Sequence, residues 1–175
     1  MFNDRASLSF LRRQDYRAEL LAWMRLRSSH PGWHSDGLNA EALGMSGIEA
    51  IGAGFVLGSP QFTWLDRIGL ARPLVSESAK TKSATAIGLF HRPSDESPME
   101  TGRAYLDILL NLTDLGLQAW PMAVVADDAE VAAEVADRYR LPAARRLINV
   151  LRIGAVPSGG RPRPCRLAPS DLIVS

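Results

Sequence analysis

The sequence lacks the features that define several classes of protein. Its 175 residues include one cysteine, so no internal disulfide can form, and we expect a reducing compartment. No apolar run reaches the roughly 20 residues that a membrane-spanning helix needs. Asp4, Arg5, Arg12 and Arg13 interrupt any signal-peptide core near the start. We therefore expect a cytoplasmic protein without a membrane partner.

Charge imbalance and catalytic motifs are also scarce. The net charge of +1 at pH 7 gives no reason to expect a nucleic-acid partner. The sequence contains no GxSxG, no P-loop and no convincingly spaced set of metal ligands, so no metal site is predicted and the catalytic residues are unknown. This absence is compatible with an enzyme whose cofactor carries out the reaction while the protein binds and orients it. It is equally compatible with a protein that catalyses no reaction.

The length and an apolar content of 46% are sufficient for a sizeable core in a single domain, residues 1–175. Within it, residues 28–58 are rich in glycine and turn-forming residues, which predicts a loop-rich arm. Residues 157–175 contain several prolines and glycines and are predicted to form an extended tail. Leu172, Ile173 and Val174 near its end indicate a short final strand or arm.

Apolar periodicity predicts the secondary structure. Residues 101–115 repeat at the spacing of a buried helical stripe, and Gly116 follows where a helix often ends in a left-handed residue. Asp127 is expected to cap a helix, with Glu130 completing a capping box. The predicted strands are 84–90, 117–125 and 146–153, and the predicted helices are 4–27, 101–115 and 127–140. The fold class is α/β (α+β), a three-layer sandwich with a mixed, mainly antiparallel sheet flanked by helices.

We expect the hydrophobic core to consist of the apolar residues on one face of each of these elements. Its members are Leu20, Trp23, Ile87, Leu89, Ile108, Leu112, Val124, Val131, Val135, Ile148, Val150 and Ile153.

The order of motifs after residue 115 resembles a known family. The segment GLQAWPM, a short helix, Leu141-Pro142 and a strand ending at Gly154 resemble the C-terminal part of the nitroreductase-like FMN-dependent oxidoreductases. The resemblance spans about residues 83–174 and matches the second half of long, two-half members. It implies a nitroreductase-like sandwich, bound FMN, NAD(P)H as electron donor and a nitro-aromatic or quinone-like acceptor.

The resemblance also implies a set of cofactor-binding residues. In the family, the turn after this first strand brings main chain against the flavin ring, which here corresponds to Pro121, Met122, Ala123 and Val124. A lysine ahead of the preceding strand often approaches the pyrimidine edge of the flavin. Lys80 has that offset, and Lys82 is the alternative. Both could instead be solvated lysines at the start of a strand.

The tail supplies the candidate phosphate ligands. Arg161, Arg163 and Arg166 lie within six residues without an acid among them, and the planar guanidinium suits a phosphate. In the family a basic tail residue binds the flavin phosphate, which favours Arg163 and Arg166. A solvated basic tail is the alternative.

Two family motifs are missing from this chain, the N-terminal Arg/Ser phosphate motif and the Asn/Gln-Pro-Trp segment. The expected partner is a second copy of the chain in a homodimer, or a partner chain that supplies the missing N-terminal flavin motif. Alternatively, the chain is a non-catalytic half-domain with a structural, dimerising or flavin-sequestering role. Trp33, Phe55, Phe62 and Trp64 are expected to be exposed and to form an interface in a dimer.

Overall fold

The computed structural model of the chain describes residues 1–74, 76–155 and 166–173. In chain order the elements are α1 (Phe2–Arg12), α2 (Gln14–Trp23), β1 (Met24–Arg25), β2 (Leu38–Asn39), α3 (Gly47–Val56), α4 (Ser59–Arg67), α5 (Ala71–Leu74), α6 (Ser78–Lys82), β3 (Ala86–Pro93), α7 (Pro98–Asp114), β4 (Leu117–Pro121), α8 (Val124–Asp127), α9 (Ala129–Arg138), β5 (Arg145–Ala155) and a 3₁₀ turn (Pro169–Leu172). None of the described helices is long and apolar enough to cross a membrane.

The described residues divide into two compact units. The first consists of Met1–Ser9 and Arg72–Ser158, and the second of Phe10–Ala71 and Gly159–Ser175, insofar as these ranges are described. The larger sheet lies in the first unit.

The sheet of the first unit has the strand order β3-β5-β4, and both pairings are antiparallel. All three strands were predicted, with ends that differ by a few residues. The predicted strand 117–125 ends early, at Pro121, because the chain turns after Met122 and Val124 already belongs to α8. The mixed α/β class with a mainly antiparallel sheet is confirmed.

Helices cover both faces of this sheet. On one face, Val150 of β5 packs in a buried cluster with Met122, Val125, Val131 and Val135, which come from β4's end, α8 and α9. Successive strand residues point to opposite faces, so Asn149 projects to the other side.

The opposite face carries α7. Tyr105 of α7 places its ring 5.3 Å from that of Phe90 on β3, and its hydroxyl lies 3.4 Å from Asn149 Nδ2. Burial raises the pKa of the Tyr105 hydroxyl. The three layers expected from the sequence are therefore present in the first unit.

The predicted core is partly confirmed. Val131, Val135 and Val150 are buried, and Leu89 and Val124 pack against the same cluster. Leu20, Leu112, Ile148 and Ile153 are half-buried. Trp23, Ile87 and Ile108 are exposed, so their assignment to the core was wrong. Helical or strand spacing identifies an apolar face, but only packing decides which part of that face is covered.

The helical boundaries also required corrections. The single helix predicted over residues 4–27 is two helices, because Arg13 adopts an extended conformation with ψ of 122° between α1 and α2. The cap of α9 is Asp128, which accepts a hydrogen bond from Val131 N at 3.1 Å, and not Asp127. Gly116 has a φ of +70° after α7, as expected of a helix end. Leu172 belongs to a 3₁₀ turn and not to a strand.

The second unit has its own small core. Trp33 is buried and packs with Ala40, Ala50, Leu26 and Met45. The predicted loop-rich segment 28–58 contains the ten-residue helix α3, which begins with a capping box.

A buried arginine closes the turn that carries Trp33. Arg25 donates two hydrogen bonds to Asp36 Oδ1, at 3.0 Å from Nε and 2.7 Å from Nη2. Ala40 N also donates to Arg25 O at 3.0 Å. Trp33 is therefore held inside its own unit and is not an exposed anchor. Phe62 is likewise buried, under the guanidinium of Arg17 at 4.5 Å.

Candidate functional site

Three side chains form a row across one face of the sheet in the first unit. Arg152 on the central strand β5 pairs with Ile87 on β3 and with Trp120 on β4. Residues directly opposite in a ladder project to the same side, so the three side chains are neighbours. They lie on the same face as Val150, two residues earlier on β5. The row is placed where β4 ends at Pro121.

Arg152 is the unusual member of this row, because it is a cation that is only 7% exposed. Its Nη2 lies 3.1 Å from Glu77 Oε2, and its guanidinium carbon lies 5.5 Å from the centre of the Trp120 ring. Its Nη1 is buried and has no hydrogen-bond partner among the described residues. Buried donors are normally paired, so this atom is a donor without its acceptor.

The carboxylate of Glu77 is positioned by the start of α1. The buried Asp4 accepts a hydrogen bond from Glu77 N at 3.0 Å and another from Ser76 Oγ at 2.9 Å. Asn3 Nδ2 donates to Glu77 Oε2 at 3.4 Å. Asn3 and Asp4 therefore fix the segment from which Glu77 reaches Arg152.

Lys80 lies on the exposed side of the same cluster. Its Nζ is 3.9 Å from Glu77 Oε1, one turn earlier in the chain, and its side chain is 66% exposed. Glu77 thus has two cations beside it, the buried Arg152 and the exposed Lys80. Glu77 connects the sequence-predicted Lys80 to Arg152, which lies beside Trp120. The sequence reasoning had selected neither Arg152 nor Trp120.

The turn after β4 continues from Trp120. Met122 N donates to Val150 O at 2.7 Å, and the Met122 side chain is buried in the core. Pro121 and Ala123 are exposed, while Val124 is half-buried at the start of α8. Of the four residues predicted to line a flavin, Pro121 is next to the Arg152 row and Met122 anchors the turn to the sheet.

The structure describes only one of the two predicted phosphate ligands, Arg166. Arg166 is an exposed residue of the second unit. Arg163 lies outside the described residues. Their proposed role therefore stays a prediction.

Another charged cluster lies at the C-terminal end of β3, where it stabilises the connection to α7. Glu96 accepts hydrogen bonds from both Arg92, through Nε at 2.8 Å, and Thr101 Oγ1 at 2.7 Å. These hydrogen bonds lower the pKa of the Glu96 carboxyl to about 2. The cluster joins the end of β3 to the first turn of α7.

No group of three or more His, Cys, Asp or Glu side chains that could hold a metal is present in residues 1–74, 76–155 and 166–173. The residues missed by the sequence reasoning were Glu77, Trp120 and Arg152. One signal was available, because Arg152 is a cation in the apolar strand RLINVLRI.

Comparison with known proteins finds a likeness to a solved structure. No family model matches the chain, and no curated protein matches it. Among solved structures, the chain is similar to a nitroreductase with bound FMN from Bacteroides fragilis, with 15% identity over 73% of this chain and 67% of that chain. The TM-score is 0.44.

Proposed function

We propose that this chain is a nitroreductase-like flavoprotein that binds FMN through the Arg152 cluster. The observation that supports the proposal most is the buried, unpaired Nη1 of Arg152. Arg152 pairs with Trp120, the residue before Pro121, and the sequence resemblance predicts that the main chain from Pro121 contacts the flavin ring.

The chemistry of the cluster fits the ring of a flavin. A flavin has a flat aromatic surface and, along its pyrimidine edge, carbonyl oxygens and a ring nitrogen that accept hydrogen bonds. Arg152 Nη1 offers a buried donor, and Lys80 a second cation. Trp120 is partly exposed and presents an aromatic surface. Because Nη1 is buried in this structure, a ligand reaches it only after a neighbouring side chain moves.

Bound FMN would supply hydride transfer, and the residues of the chain would bind and orient it. Arg152 and Lys80 would place positive charge beside the edge of the ring that becomes negative on reduction, which favours the reduced form. Glu77 would position both cations, through the contacts of 3.1 Å and 3.9 Å. We further propose, from the sequence resemblance, NAD(P)H as the donor and a nitro-aromatic or quinone-like compound as the acceptor.

The absorption spectrum of the purified chain tests flavin binding directly. We expect flavin bands, or their recovery after addition of FMN. Colourless protein that takes up no FMN would favour the non-catalytic half-domain.

The tail is tested by comparing FMN with riboflavin, which lacks the phosphate. If Arg163 and Arg166 hold the phosphate, changing both to Ala should weaken FMN binding much more than riboflavin binding. Equal losses for the two ligands would reject the phosphate role.

We also propose that the chain functions as a homodimer, which would cover apolar side chains that the second unit leaves exposed. Phe55 and Trp64 are 60% and 61% exposed, which supports part of the predicted interface, whereas Trp33 and Phe62 are buried and do not contribute to it. Sedimentation equilibrium at micromolar concentration should give a dimer mass, and Trp64→Ala should raise the monomer fraction. Trp23→Ala, which removes another exposed tryptophan, is the control. A monomer mass for the parent would contradict the proposal.

A further inference from the structure

A pocket of about 500 Å³ opens in the second unit and contains none of the residues proposed to bind FMN. Its inner wall is formed by the buried residues Trp33, Ala40 and Ala50, with Leu26 and Met45 beside them. Sites for small molecules usually have volumes of roughly 300–1,000 Å³ and mostly apolar linings. The size and the lining of this pocket therefore suit a small, largely apolar ligand.

The rim of the pocket carries one charge of each sign. Arg27 and Glu41 both line the pocket, and both are exposed. Neither makes a side-chain hydrogen bond or an ion pair with any residue that the structure describes. A guanidinium above an apolar wall can bind a carboxylate, and a carboxylate there can accept a hydrogen bond from an N–H or ammonium group.

The mouth of the pocket also leaves apolar surface uncovered. Ile51 of α3 lines the pocket and is 67% exposed, whereas Ala50, the residue before it, is almost completely buried. A ligand seated against Trp33 would cover part of the Ile51 side chain, and burial of apolar surface contributes to affinity.

We propose that this pocket binds a small aromatic carboxylate that carries an N–H donor. The aromatic body packs against Trp33 and Met45, the carboxylate contacts Arg27, and the N–H group donates to Glu41. Ser28 at the rim offers a hydroxyl as a further hydrogen-bond partner for the carboxylate.

Indole-3-acetate is a suitable probe, since it has an aromatic body, a carboxylate and a ring N–H. Its binding to the full chain is measured by saturation-transfer NMR and calorimetry, with indole as the neutral probe that lacks the carboxylate. We expect indole-3-acetate to bind with a Kd below about 1 mM and more tightly than indole.

The variant Arg27→Gln tests the carboxylate contact, and as an exposed residue it should leave the fold intact. It should weaken indole-3-acetate about fivefold, the effect of one exposed ion pair, and leave indole unchanged. Arg67→Gln is the matched control, because Arg67 is an exposed arginine of the same unit that does not line the pocket.

A second variant tests the apolar wall. Ala50→Leu should fill part of the pocket and weaken both probes together. If that variant fails to fold, the Arg27→Gln comparison still decides the matter. The proposal is overturned if indole-3-acetate does not bind by about 1 mM, or if Arg27→Gln binds it as the parent does.

Discussion

The contact between Glu77 and Arg152 can be tested by a double-mutant cycle. The change Glu77→Gln removes the charge that faces a buried guanidinium while it keeps the size of the side chain. Arg152 is then left 7% exposed, without a carboxylate, and with Nη1 still unpaired.

The expected magnitude follows from the burial of the two side chains. A hydrogen bond to a charged group is worth about 1.5–3 kcal/mol when it is well buried. The Glu77 side chain is 31% exposed, and solvent screening reduces the contribution of such a pair. We therefore expect Glu77→Gln to lower the free energy of unfolding by about 1–2 kcal/mol. In Glu77→Gln/Arg152→Met much of this loss should be recovered, because an apolar side chain replaces the unpaired cation.

Urea unfolding of the parent, both single variants and the double variant measures the coupling energy. Coupling of about 1 kcal/mol is expected. A coupling energy near zero, with Glu77→Gln as stable as the parent, would refute the conclusion that this pair organises the cluster.

Two further predictions concern the first unit. The pKa of Glu96 is held near 2 by Arg92 and Thr101, so the stability that Glu96 contributes is complete above its unfolded pKa of about 4.5 and is lost as the pH falls toward 2. Urea unfolding should therefore show that the free energy of unfolding of Glu96→Gln falls less steeply than that of the parent between pH 4.5 and pH 2. An equally steep fall in both proteins would contradict the lowered pKa of Glu96. Met122→Asp puts a charge into the core and should lower the free energy of unfolding by about 3 kcal/mol or more, and with it FMN binding, whereas Met99→Asp at an exposed site should have little effect. Unchanged stability and FMN binding in Met122→Asp would show that the turn after β4 is misplaced.

The sheet could be predicted from the sequence because its strands are short apolar runs bounded by clear breaks. Gly116 marks the start of β4, and the apolar run that forms β5 begins soon after Leu141-Pro142. The end of β4 at Pro121 was not predicted, because the apolar run continues to residue 125. The break between α1 and α2 could not be predicted in this way, because Arg13 lies in a continuous helical pattern without proline or glycine.

The candidate site was only partly predictable, because some of its residues are distant from one another in the sequence. Lys80 and the turn at Pro121 were proposed as site residues from a local resemblance of sequence. Arg152 and Glu77 are 75 residues apart in the chain, and they meet only because the register of β5 and the position of α6 bring them together. Trp33 shows the opposite failure, because an aromatic residue in a glycine-rich segment suggested exposure, whereas the Arg25–Asp36 pair folds that segment over it.

The central claim is that the buried guanidinium of Arg152 binds FMN, and one titration tests it most directly. FMN is titrated into the parent, Arg152→Met and Arg146→Met, and binding is followed by the quenching of flavin fluorescence, after circular dichroism has established that each variant is folded. Arg146 is an exposed arginine of the same strand, so its variant controls for the loss of one positive charge. We predict saturable binding by the parent, a loss of about tenfold or more in Arg152→Met, and little change in Arg146→Met. Equal FMN affinity in the parent and in folded Arg152→Met, or no binding by the parent, would contradict the account.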